Sequence, residues 1–278
     1  MSKIETAKTV LITGCSAGGS GSALAEVFEK RGLHVFATAR TLSKMSHLKD
    51  LPNITLLELD ITSSQSITTA LDIVKAQTNG KLDYLVNNAG QSMVMPALDT
   101  DIEEAKKIFD VNYWGTIATI QAFAPYIIAA KGTIVNICSI SGYVNAPWMS
   151  IYGASKAALM LQSETMRLEL APFQVKVLAV VSGVVATNIM SHGNDWKLPP
   201  QSLYSKVSKA IEARATGADV KASQKMDPKK FANKVVTDVL SGASGRTWRG
   251  SIASVVWLMT LLPTYLMDKA MLSGTSVQ

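Results

Sequence analysis

Soft metal-binding side chains are scarce in this 278-residue chain, which holds 2 cysteines and 3 histidines. Cys15 and Cys138 cannot build a disulfide framework, and His34, His47 and His192 are scattered along the sequence. Neither a disulfide-stapled secreted scaffold nor a metal site is expected. Charged residues are also few, at 17% against 47% hydrophobic, a balance that excludes a disordered chain and suits one domain with a sizeable core, or at most two small ones. The opening stretch, Met1 to Lys8, mixes charges where a secretory leader needs an apolar run, so a reducing compartment is expected. A membrane-spanning run is lacking too. The charge-free stretch from Gly250 to Met267 has 18 residues and contains Pro263, short of the roughly 20 apolar residues a spanning helix needs. Packing on the domain or a partner subunit, and lying in a lipid surface through Trp257, Leu258, Leu261, Leu262 and Leu266, stand level as its alternatives.

The charge that is present is unevenly placed. Between Lys197 and Lys234 there are nine basic residues and three acids, a surplus equal to the +6 of the whole chain. No nucleic-acid recognition motif accompanies it, so no nucleic-acid partner is expected. A solvated helix face explains most of these lysines, and a phosphorylated substrate or an anionic membrane surface is what a basic lid would favour.

Short, nearly uninterrupted apolar runs recur at Thr9–Ile12, Val35–Ala39, Ile54–Leu59, Leu82–Val86, Thr133–Cys138 and Val175–Val181. They read as strands buried on both faces. Helical patterns lie between them at Ser22–Arg31, Ser63–Gln77, Ile102–Ala130 and Ile151–Leu170. Strand and helix alternating in this way predict an α/β, Rossmann-type doubly wound parallel sheet in a single domain, residues 6–242, with a helical substrate lid at 183–226 and an apolar C-terminal tail at 243–278. In the lid, Leu203, Val207 and Ile211 recur at helical spacing; after it, Asp227-Pro228 opens a helix carrying Phe231, Val235, Val239 and Leu240.

The chemistry-bearing residues follow the strands. The turn Thr13-Gly14-Cys15-Ser16-Ala17-Gly18-Gly19-Ser20-Gly21 lies between a predicted strand and helix, where backbone amides and a helix N-terminus cradle a pyrophosphate. Nineteen residues past Gly21, at the end of the second strand, stands Arg40 instead of the acid that would bind a ribose 2′-hydroxyl, which favours NADP (NADPH) over NAD. Tyr152 and Lys156 are four apart on one helix face, and a fixed ammonium favours the phenolate of a neighbouring tyrosine. Ser139 lies upstream at the carboxyl end of a predicted strand, where such sheets bind ligands.

Together the Thr13-Gly14 to Gly21 turn, Asn87-Asn88-Ala89-Gly90, Asn112, Ser139 and Tyr152-x-x-x-Lys156 resemble the motif set of the short-chain dehydrogenase/reductase family. By that resemblance Tyr152 is the general acid of reduction and general base of oxidation, and Ser139 holds the substrate oxygen. Lys156 binds the nicotinamide ribose and Asn112 holds a relay water. Gly14, Ser16, Gly19, Gly21, Arg40, Asp60, Asn88, Ala89, Gly90 and Thr187 contact the cofactor, with Ser16 and Arg40 sharing the 2′-phosphate. The glycine turn is one residue longer than the family's usual G-x-x-x-G-x-G, and Ser182-Gly183 replaces the usual Pro-Gly, which implies a more mobile loop there. The long glycine turn, Met226-Asp227-Pro228 and the Trp248 to Pro263 tail are further similar to the fungal NADPH-dependent 1-acyldihydroxyacetone-phosphate reductase branch. That implies reduction of a small-molecule ketone to a secondary alcohol at the endoplasmic reticulum or lipid droplet surface, or otherwise in the cytosol. A neutral steroid, polyketide or terpenoid carbonyl of secondary metabolism is the alternative substrate. A cofactor-dependent lipid-surface scaffold is the non-enzymatic alternative, opposed by the intact catalytic set. Family members commonly form homodimers or homotetramers through the two long helices.

Overall fold

The computed structural model describes residues 7–190, 196–273 and 275; Thr6 at the expected domain start, and His192 and Gly193 in the expected lid, lie outside the described residues. The strands are β1 (Thr9–Ile12), β2 (His34–Ala39), β3 (Ile54–Glu58), β4 (Tyr84–Asn87), β5 (Thr133–Ser139), β6 (Lys176–Ser182) and β7 (Gly245–Arg249). They form one parallel sheet in the order β3-β2-β1-β4-β5-β6-β7. The helices are α1 (Ser20–Lys30), α2 (Ser64–Thr78), α3 (Ile102–Phe109), α4 (Thr116–Ala130), α5 (Ser150–Glu169), α6 (Ser208–Thr216), α7 (Pro228–Leu240), α8 (Ala253–Met259) and α9 (Thr264–Leu272). This is the expected Rossmann-type α/β architecture. The strand order reverses between β1 and β4, which opens a crevice at their carboxyl ends.

Alternate residues of a strand serve opposite layers. Val10 and Ile12 pack with Leu24 and Phe28 of α1 and Phe231 and Val235 of α7. Leu11, between them, packs with Val74 of α2 and Phe123 of α4 on the other face. Phe28, Phe123 and Phe231 are fully buried, each contributing about 1.5–3 kcal/mol relative to exposure. Side chains fix three helix starts: Ser63 accepts from the Ser66 amide, Asp101 from Glu104 and Asp227 from Lys230. Each cap is worth about 1 kcal/mol.

Three expectations change. The helix expected over Ile102–Ala130 is divided by a π-turn at Asp110–Gly115. Its wider i→i+5 winding inserts one residue without breaking the helix, and Gly115 permits the approach: a Cβ there would lie 2.8 Å from the Ile61 carbonyl oxygen. Strand β7 lies beyond the expected boundary at 242, so the first part of the expected tail belongs to the sheet. Arg249 anchors this edge through Nε and Nη2 bonds of 2.7 Å each to the Asp238 carboxylate on α7. Finally, Gly183 sits in a braced segment. Its amide donates to the Arg249 carbonyl at 2.7 Å, and Val184 and Ser251 exchange bonds of 3.0 and 3.2 Å. These backbone bonds, not a proline ring, tie down the segment expected to be loose.

In the lid, α6 buries Ile211, and Val207 just before it packs half-buried against the same cluster, whereas Leu203 is 83% exposed, so the expected three-residue stripe loses its first member. Beyond β7, α8 buries Ala253 and Val256 against Ile140 and Val181, and Pro263 separates it from α9. Among the described residues no helix is long and apolar enough to cross a membrane.

Candidate active site

Strand β5 delivers Ser139 to the crevice, where its Oγ accepts from the Ser141 amide at 3.1 Å and caps a 3-10 turn, Ile140–Gly142. Two glycines press that turn onto α5. A Cβ on Gly142 would lie 2.9 Å from the Ala157 nitrogen, and one on Gly153 would lie 2.7 Å from the Ser141 carbonyl oxygen. The close approach brings the Ser139 hydroxyl within reach of the Tyr152 phenol. One turn on, Lys156 is buried and donates from Nζ to the Ile137 carbonyl of β5 at 3.0 Å.

Asn112 projects from the π-turn and is fully buried. Its Nδ2 donates to the Gln91 carbonyl at 2.9 Å and to Ser155 Oγ at 3.0 Å, while its Oδ1 accepts from the Gln91 amide at 2.8 Å. A Cβ on Gly90 would stand 3.2 Å from Asn112 Oδ1 and 3.4 Å from Lys156 Nζ, so both groups converge on this glycine. The carbonyl oxygen of Asn112 keeps a second lone pair for a water. Ser139, Tyr152, Lys156 and Asn112 are thus brought together at one end of the crevice.

Their acidities differ from the expected pattern. Burial pushes the Tyr152 phenol above its ordinary value, and the Ser139 hydroxyl beside it only partly opposes this. Burial also lowers Lys156. The ammonium spends a bond on Ile137 instead of reaching the phenol, so desolvation dominates over the expected Tyr152–Lys156 attraction.

Alongside lies a cleft of about 400 Å³. Its lining includes Gly14, Ser16, Gly19, Arg40, Asp60, Asn88, Ala89, Gly90 and Thr187, nine of the expected cofactor contacts. Gly21 stands behind this lining. A Cβ there would meet the Gly14 carbonyl oxygen at 2.4 Å and Asn88 Nδ2 at 2.5 Å, so it is the close-packing glycine of the lengthened turn. Asn88 Nδ2 ties the turn together by donating to the Thr13 and Gly14 carbonyls at 2.9 and 3.1 Å. Asp60 Oδ1 accepts from the Thr62 amide at 2.9 Å and from its hydroxyl at 2.7 Å, which fixes the carboxylate at the cleft wall. The donors, glycine cradle and cations of this cleft fit a dinucleotide.

A family model described as short chain dehydrogenase matches residues 8–198. The chain belongs to the short-chain dehydrogenase/reductase family. It is therefore an oxidoreductase of a family that uses nicotinamide dinucleotides. It is 48% identical over 272 residues to a short-chain dehydrogenase of Penicillium crustosum, covering 98% of this chain and 99% of the relative. It is also 43% identical over 212 residues to the NADPH-dependent 1-acyldihydroxyacetone phosphate reductase of Schizosaccharomyces pombe, covering 75% and 71% of the two chains. Among solved structures, a short-chain dehydrogenase from Burkholderia cenocepacia in complex with NADP superposes with a TM-score of 0.75 at 26% identity, covering 97% of this chain and 99% of the other.

Several residues of this short-chain dehydrogenase/reductase site carry no motif. Lys44 joins Arg40 in the cleft lining from a 3-10 turn, Leu42–Leu48, and its carbonyl receives the Ala17 amide at 2.9 Å. The lid is latched by Trp196, whose indole donates to the Val94 carbonyl at 2.7 Å, and by Ser202, which donates to Asp99. Trp148, just before α5, holds a left-handed φ of 65° and accepts the Met95 amide at 2.7 Å. Such strain in a bulky residue is sustained only where its surroundings over-determine it. Here, an apolar cluster of Val94, Met149, Tyr152 and Ile211 surrounds it.

Proposed function

We propose that the protein is an NADPH-dependent reductase that converts a ketone to a secondary alcohol, with Tyr152 as proton donor. The observation that carries this is the convergence of Ser139, Tyr152, Lys156 and Asn112 beside a dinucleotide-shaped cleft. The dinucleotide, when bound, supplies the hydride. Ser139 holds the substrate oxygen, and the Tyr152 phenol gives it a proton; in the oxidative direction the same oxygen of Tyr152 takes the proton back. Lys156 binds the nicotinamide ribose, and Asn112 holds the water through which the proton is replaced. The test is NADPH consumption with a panel of ketones: turnover by wild type is expected, and none with any ketone contradicts the reading.

NADPH is favoured by two cations, Arg40 and Lys44, at the cleft, with Ser16 completing the 2′-phosphate contacts. The fission yeast relative, named for NADPH, supports the same choice. Arg40→Asp is expected to lower the preference for NADPH over NADH about a hundredfold in kcat/KM, because a charge-assisted contact becomes a repulsion. An unchanged ratio contradicts the assignment.

We also propose that α8 and α9 meet a lipid surface of the kind found on the endoplasmic reticulum or a lipid droplet, while the face of α5 that exposes Leu161 and Leu168 joins a dimer or tetramer. Val255, Trp257, Leu258, Leu261, Tyr265 and Leu266 are all exposed on that tail, the observation behind the lipid reading. Wild type is expected to float with anionic vesicles, and the Trp257→Asp, Leu261→Asp variant to stay behind at unchanged oligomer size. Wild type that does not float contradicts the first proposal, and a monomer in sedimentation velocity contradicts the second.

A further inference from the structure

A second cavity, of about 470 Å³, adjoins the dinucleotide cleft and shares Gln91 and Ile189 with it. Gln91 is the residue whose backbone Asn112 holds, so the two spaces meet at the catalytic group. Apolar walls come from Met93, Val94, Met95, Ile108, Met190 and Trp196. Val94, Met190 and Trp196 belong to the same packed cluster as Tyr152. The volume falls within the range that takes up drug-sized ligands, and methionine walls adapt to irregular bodies.

The charge of this lining opposes that of the lid. Asp99, Asp101 and Glu104 line the cavity, and among the described residues no lysine or arginine does so. The lid's cations are engaged or exposed elsewhere. Arg214 pairs with Asp219 and lies over the Trp148 ring, Lys225 donates to the Gly217 carbonyl at 2.9 Å, and Lys229 pairs with Glu26 at 3.1 Å. Lys197, Lys206 and Lys209 are exposed. Lys107 is held by Glu104 at 2.6 Å, which offsets one of the three carboxylates and leaves two in excess. Ser92 Oγ, buried in the lining without a hydrogen-bond partner, is a neutral hydroxyl and adds no cation.

We infer that this cavity receives the body of an uncharged, largely apolar ketone and discriminates against a phosphorylated one. The inference rests on the reductase reading and names its substrate class. A phosphate dianion brought among these carboxylates loses strong hydration and meets like charge; an uncharged, apolar body gives up little hydration, meets no repulsion and gains burial. The basic surplus of the chain lies outside this space, so the favour it lends to a phosphorylated substrate does not reach the reacting carbonyl.

The test pairs 1-acyldihydroxyacetone with its phosphate at equal acyl length, alongside a polycyclic neutral ketone. Binding is read by quenching of Trp196 fluorescence, with Trp196→Phe identifying that signal, and turnover is read with NADPH. The uncharged partner is expected to bind and turn over at least about tenfold better, and Glu104→Lys to narrow that ratio by about tenfold, as reversal of a local field requires. Tighter binding of the phosphate, or a ratio unmoved by Glu104→Lys, overturns the inference while the reductase reading stands. Neutral ketones that quench Trp196 but are never reduced overturn the reductase reading and leave the binding preference measured. Absence of quenching by any ketone overturns the cavity assignment.

Discussion

Tyr152→Phe is expected to lower kcat for the proposed ketone reduction about a thousandfold, within the range by which a positioned general acid accelerates proton transfer. The ring that packs with Trp148 and Met149 is retained, so stability and NADPH binding change little. Only the hydroxyl within reach of Ser139 is lost. The pH dependence follows from the same group. Burial raises its pKa above the ordinary value, so the phenol stays protonated through neutral and mildly alkaline pH. Reduction, which needs the acid form, is expected to keep its kcat/KM past the pH at which a free tyrosine ionises and to fall only at more alkaline pH. Oxidation of the product alcohol needs the phenolate and is expected to rise about tenfold per pH unit as long as the phenol is mostly protonated. Initial rates in both directions, wild type against variant, check this; a reduction rate that falls between pH 6 and 8 contradicts it.

Gly21→Val carries the second large effect. Even a Cβ at this position would stand 2.4 Å from the Gly14 carbonyl oxygen and 2.5 Å from Asn88 Nδ2, so the phosphate turn and the strand-end asparagine must separate. Overpacking of this kind costs about 1–3 kcal/mol of stability. NADPH affinity is expected to fall at least about tenfold as well, since the cradle itself shifts. Gly19→Ala is the contrast, because its Cβ would meet the Ser16 carbonyl oxygen at 3.0 Å and the Gly14 carbonyl oxygen only at 3.9 Å. Thermal unfolding with and without NADPH separates the two: a Gly21→Val protein as stable and as tight-binding as Gly19→Ala contradicts the reading of the lengthened turn.

Much of the fold was legible because the first six strands are nearly continuous apolar runs, which a sheet covered on both faces demands. The seventh was not, since Gly-Arg-Thr-Trp-Arg is a half-exposed edge whose arginines are held by Asp238 and Glu164, partners far from it in hydrophobic pattern. The π-turn escaped for a different reason: one inserted residue leaves apolar periodicity almost intact while turning Asn112 inward. The residues proposed as catalytic sat in recognisable spacing because helix geometry places Tyr152 and Lys156 on one face. Lys44 and the Trp196 latch had no such pattern, being assembled from turns that only tertiary packing brings to the site. The charge surplus misled in one respect. Sequence places nine cations in and after the lid, but only folding shows that they avoid the cavity next to the catalytic groups.

The most direct test of the catalytic assignment uses NADPH carrying deuterium on the reactive carbon of its nicotinamide, with a neutral polycyclic ketone as acceptor and mass spectrometry of the product. Wild type is predicted to place deuterium on the new carbinol carbon, and Tyr152→Phe, still binding NADPH, to place about a thousandth as much in the same time. Alcohol formed without deuterium, or equal labelling by the two proteins, would contradict hydride transfer assisted by Tyr152.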